Sequence, residues 1–97
     1  MKIFAIEKKA DGLNELLLKN LLIEEAKQVW KLYKDEVLRE IYFTKDDHRA
    51  VLILECESET AAVNILNTLP LVEHNQIQFE ILPLKPFDGF ERLFNAS

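Results

Sequence analysis

Four polar side chains stand where they could do chemistry together: Glu40 and Tyr42 in LREIYFT, and Gln78 and Glu80 in QIQFEIL. Both runs alternate polar and apolar residues, so each pair shares one face of a strand. Two carboxylates enclosed in a partly apolar space have raised pKa values and can pass protons. The chemistry would be abstraction of a proton beside a carbonyl and its return at another atom. Glu40 or Glu80 could serve as base, with Tyr42 or His48 as the partner donor. The plainer alternative is that the four side chains are solvated or bind across a subunit interface, because acids also cluster for structural reasons.

Other chemistries find less support. His48 follows Asp46 and Asp47 in a polar loop, and His74 lies in a connector after Leu71. Neither has the paired spacing of a metal site, so no metal is expected. A place at the mouth of a cavity suits them better, and His74 joins Gln78 as a candidate ligand-binding residue. Only Gly12 and Gly89 are glycines, which leaves no glycine-rich phosphate loop. No cofactor is expected. Cys56 has no histidine placed by the sequence to activate it and reads as an inert, buried thiol.

These residues need elements to hold them. Lys2 to Glu7 reads as a short apolar strand, followed by the turn signal Asp11-Gly12. Leu13 to Val37 is helical. Leu22, Ala26, Val29, Trp30, Tyr33 and Val37 recur at three- and four-residue steps and form an apolar stripe. Glu24, Glu25, Lys27, Gln28, Lys31 and Lys34 are assigned away from it, and Trp30 is expected in the core. Asn20 could cap a second helix, so one helix or two are both open.

Leu38–Thr44 and Arg49–Cys56 make a hairpin around Lys45-Asp46-Asp47-His48. In the first strand Arg39, Ile41 and Phe43 point one way, and Leu38, Glu40, Tyr42 and Thr44 the other. The second strand, rich in Val51, Leu52, Ile53 and Leu54, reads as central. Ser58 caps a second helix with Ala62, Ile65, Leu66 and Leu69 inward, ended by Pro70. Leu71 to Asn75 is a connector, and Gln76 to Leu82 is the last strand, with Ile77, Phe79 and Ile81 on one face.

The order βαββαβ predicts an α+β, ferredoxin-like fold: a four-stranded antiparallel sheet with two helices on one face. Glu40 and Glu80 then fall on opposite edge strands, far apart within one subunit. The uncovered mixed face calls for a second copy of the sheet, so a homo-oligomer of at least two chains is expected. A single domain spans 1–97. Its tail, 84–97, carries Phe87, Phe90, Leu93 and Phe94, and is expected to dock on its own or a partner subunit.

Composition narrows the partners. The 97 residues carry 12 Lys and Arg against 17 Asp and Glu, a net charge of −5. Such a surface repels nucleic-acid phosphates and anionic membranes. RNA-recognition domains share the strand order but stack bases on aromatics of the first and third strands; here the third strand, VLILEC, has no aromatic and carries Glu55. No run approaches the ~20 apolar residues of a membrane span. MKIFAIEKKADG has too few apolar residues for a signal peptide, and one cysteine permits no internal disulfide. A cytoplasmic protein is expected.

Three segments resemble the muconolactone isomerase-like family of dimeric α+β barrel proteins: VWKLYKDEVLREIYFTKDDHRAVLILECES, NTLPLVEHNQIQFEILPL and PFDGFERLF. Leu69-Pro70-Leu71 with the strand Ile77 to Leu82 is the part most similar to the isomerase, and the middle and tail look more like the family's uncharacterised bacterial branch. The resemblance implies paired sheets, ligands between sheet and helices or at the barrel mouth, and a cofactor-independent isomerisation of a small lactone-like metabolite. It carries no catalytic residue onto this sequence. A non-enzymatic small-molecule binding or regulatory module, or a structural dimerisation domain, is the alternative.

Overall fold

The computed structural model describes residues 1–94. Strand β1 (Lys2–Lys9) leads into the long helix α1 (Glu15–Lys34), then the hairpin β2 (Leu38–Phe43) and β3 (Ala50–Glu55). Helices α2 (Glu59–Leu66) and α3 (Pro70–Glu73) follow, then β4 (Ile77–Leu84) and a 3₁₀ helix, Gly89–Leu93. The sheet order is β2-β3-β1-β4 and every pairing is antiparallel. This is the expected α+β fold, with the helices over one face. Among the described residues, no helix is long and apolar enough to cross a membrane.

A single helix spans the leucine-rich segment. Asn14, not Asn20, caps it: its Oδ1 accepts from the Leu17 N–H at 3.1 Å. The Asn14 N–H in turn donates to Gln76 Oε1 at 2.8 Å, and Gln76 Nε2 donates to the carbonyls of Gly12 and His74. Gln76, 3% exposed, therefore ties the entry of α1 to the entry of β4 with both ends of its amide satisfied. Helix α1 ends in a Schellman motif: Val37 N–H bonds Leu32 O, Glu36 N–H bonds Tyr33 O, and Glu36 takes φ 63°. Asn75 closes α3 in the same way at φ 59°. Helix α2 stops at Leu66, before Pro70, and Pro70 instead begins α3, because its fixed φ suits a first helical turn and it needs no N–H there.

The hairpin corrects one strand face. The β2–β3 register shifts between Leu38 and Glu40, so Arg39 is an extra, bulged residue. Leu38 thereby joins Ile41 and Phe43 on the helix side and is 1% exposed. Without the bulge, the strand's strict alternation would place it with Glu40 and Tyr42. The Arg39 guanidinium turns back to the Glu36 carbonyl at 2.6 Å.

The two ends of the covered face differ. At one end Ile3, Leu54, Leu38, Ala62 and Leu66 pack into a closed core. The uncovered face presents Phe4, Ile6, Val51 and Ile53 half-buried, with Tyr42, Leu82 and Leu84 exposed beside them. The tail's Phe87 and Phe90 pack edge to face, 4.8 Å between centroids, yet Phe87, Phe90, Leu93 and Phe94 all remain exposed. Among the described residues, these four tail side chains are not buried on their own subunit.

Candidate functional site

At the other end of the covered face, α1 stands off the sheet and leaves a cavity of about 500 Å³. Its helical wall is Leu22, Glu25, Ala26, Val29, Trp30 and Tyr33. Its floor is Phe43, Ala50, Glu7 and Phe79, one from each strand, with Ile41, Leu52 and Ile77 alongside. Leu69 and Leu71 close the α3 side. The stripe on α1 thus lines a cavity over much of its length, while Leu32, 7% exposed, is the α1 residue that enters the core. Trp30 is 59% exposed at this cavity instead of buried. It stacks on Tyr33, 6.0 Å between centroids, and Lys34 Nζ lies 5.9 Å from its ring centroid.

Two carboxylates enter this apolar space, and the backbone orients both. The β1–β3 ladder stops at Ile6 and Val51, and the Glu7 side chain takes over: its Oε1 accepts the Ala50 N–H at 3.0 Å. Glu25 Oε1 accepts the Leu71 N–H at 3.0 Å, in the first turn of α3, where Leu69 offers no side-chain cap. Among the described residues neither acid has an ion-pair partner. Burial pushes the Glu25 pKa up; the Leu71 N–H opposes this and the nearby Glu7 charge adds to it. The arrangement suits acid–base work: an acid that favours its proton shares an apolar cavity with a second carboxylate.

Both residues carried a signal in the sequence. Glu7 continues the alternation Ile3, Ala5 on β1, and Glu25 lies three residues after Leu22 and four before Val29. Each is a charge within an apolar repeat. The assignment of Glu25 to the solvent side of α1 is corrected by its place in the cavity wall.

The residues singled out from the sequence lie elsewhere. Glu40 and Tyr42 share the uncovered face of β2, where Tyr42 Oη donates to Glu40 Oε1 at 2.7 Å. That bond to the carboxylate raises the Tyr42 pKa. Glu80 and Gln78 sit on the same face of β4. One row across the sheet reads Tyr42, Val51, Ile6, Glu80. Three strand spacings separate its ends, about 14 Å. His48, at φ 52°, stacks on Phe43 with centroids 3.9 Å apart, so it backs a wall of the cavity without lining it. The Asp47 side chain accepts from Thr44 Oγ1 and from Arg49 Nε, and the first of these leads in lowering its pKa. His74 terminates α3. Among the described residues no group of three metal-ligating side chains comes together.

No protein-family model and no curated protein matches the chain. Solved structures do. Muconolactone isomerase superposes with a TM-score of 0.72 at 15% identity, over 91% of this chain and 92% of that one. The 5-chloro-2-hydroxyhydroquinone dehydrochlorinase of Burkholderia phenoliruptrix, solved with 2,5-dihydroxybenzoquinone, gives 0.60 at 16% identity, over 90% and 97%. At these identities the likeness is one of fold: the chain is an α+β protein built on the sheet and helix arrangement of muconolactone isomerase.

Proposed function

We propose that this protein is a cofactor-independent isomerase that shifts a proton within a small, largely apolar, lactone-like ring held between α1 and the sheet. The observation that carries the reading is the pair Glu7 and Glu25 in an otherwise apolar cavity of about 500 Å³, a volume that suits a small metabolite. Glu7 acts as base on a carbon next to the carbonyl. Glu25, whose burial favours its protonated form, in that form hydrogen-bonds the carbonyl oxygen as charge develops there and stabilises the enolate. Proton return at a different carbon completes the double-bond shift. Aromatic walls from Trp30, Tyr33 and Phe43 suit a flat ring. The fold likeness to muconolactone isomerase supports this reading.

The test is incubation with unsaturated butenolides in deuterated water, followed by proton NMR. Migration of the double bond and deuterium uptake at the carbon that receives the returning proton are expected. Glu7→Gln and Glu25→Gln should each lower the rate by about 10²–10⁴-fold. Unaltered rates in both variants would remove the mechanism. Saturable binding without exchange would favour a binding module, a reading that the backbone hydrogen bond on each carboxylate also supports.

The functional unit in this proposal is a homodimer, in which a second sheet covers Phe4, Ile6, Val51 and Ile53 and the tails pack across the pair. Glu40, Tyr42, Gln78 and Glu80 then belong to the contact between subunits, and His48 positions Phe43 at the cavity.

A further inference from the structure

We infer that the ring bound in this cavity is uncharged, and that the same ring bearing a carboxylate is rejected. The inference rests on the isomerase reading above and adds the substrate's charge class. Among the described residues, Glu7 and Glu25 are the only charged side chains lining the cavity. An anion that enters loses its hydration and finds no compensating cation, only carboxylates and aliphatic or aromatic walls. An uncharged carbonyl loses little hydration and can accept a hydrogen bond from Glu25 in its protonated form.

The cations of the adjoining groove, Lys34 and Arg39, lie outside the cavity lining. A groove beside the cavity shares Trp30, Tyr33 and Leu38 with it and holds Lys34, Arg39 and Glu36. The Arg39 Nε is already committed to the Glu36 carbonyl, and Lys34 sits over Trp30. Glu36 adds a negative charge, and the last carbonyls of α1 carry the negative end of its dipole. His48 stacks on Phe43 but does not itself line the cavity.

Trp30 is the sole tryptophan and lines the cavity, so its fluorescence reports occupancy without a label. Three probes are titrated: an uncharged 5-methylbutenolide, the same ring with a carboxymethyl group, and one with an aminoethyl group. The uncharged ring should bind at least tenfold more tightly than the carboxymethyl ring. In the double variant Glu7→Gln, Glu25→Gln the ratio should fall towards one, because the amides keep both backbone hydrogen bonds and lose the charge. Lys34→Glu should leave it unchanged.

Equal or tighter binding of the carboxymethyl ring would overturn the inference while leaving the isomerase reading intact, as would tightest binding of the aminoethyl ring. A ratio unaltered in the double variant would overturn it too, since the acids would not be its cause. A loss of carboxymethyl binding in Lys34→Glu would place an anion seat in the groove. Binding of neither ring, with no proton exchange, would overturn both readings.

Discussion

Glu25 shares its cavity with Leu22, Val29 and Leu71, and that surrounding sets a pH dependence. Its folded pKa lies above the ordinary 4.5, so the folded chain holds this proton more tightly than the unfolded chain. The stability it contributes is complete below 4.5 and is lost as pH rises through the folded value. Glu25→Gln should therefore stabilise the protein at about pH 7 and give no such gain at about pH 3, as read from urea melts at the two pH values. Gln76 is the opposite case, a buried polar group with every bond made. Gln76→Leu strips the partners from the Asn14 N–H and the Gly12 carbonyl and should cost about 1–3 kcal/mol in the same melts.

At the scale of elements, the end of α1 and the start of β2 decide how the cavity is walled. Glu36 holds a left-handed conformation that glycine adopts without a side-chain clash. Glu36→Gly should raise stability by about 1 kcal/mol, seen as a higher denaturation midpoint with an unchanged slope. The bulge at Arg39 acts just beyond it. It turns Leu38 into the core and keeps Ile41 and Phe43 at the cavity. Deleting Arg39 would remove the extra residue and restore alternation with Leu38 still inward, opposite Leu54. That deletion should therefore leave the core intact, whereas Leu38→Ala removes a large core side chain, costs about 2–5 kcal/mol and should lower the melting temperature sharply in a calorimetric scan.

At the scale of the whole molecule, the open sheet face and the tail both leave apolar side chains uncovered among the described residues. A small domain buries a limited share of its apolar area by itself, and a second copy meets that need by symmetry. Light scattering at micromolar concentration should give the mass of at least a dimer. Replacing Phe87, Phe90, Leu93 and Phe94 together by serine should weaken the assembly by tenfold or more in its dissociation constant, since all four are exposed within one chain. A monomer at every concentration would end the dimer proposal. The cavity between α1 and the sheet would not depend on that result, because its walls come from one chain.

Element order was legible in the sequence because period and punctuation are local. Alternation marks Ile77, Phe79 and Ile81, three- and four-residue steps mark α1, and Ser58 and Pro70 mark helix ends. The strand order followed from connection rules, and it separated Glu40 from Glu80 correctly. The sequence did not indicate which apolar positions meet a neighbour and which face a void. The same stripe contains Val29, packed against the core, and Trp30, exposed at the cavity. Helical spacing assigns a residue to a face but cannot say how far the opposing sheet stands from it. That distance depends on the bulge at Arg39, on α3 held to α1 through Glu25, and on Gln76 joining two segments more than sixty residues apart. These are long-range contacts, so only the tertiary structure could decide that Glu7 and Glu25 share one apolar cavity.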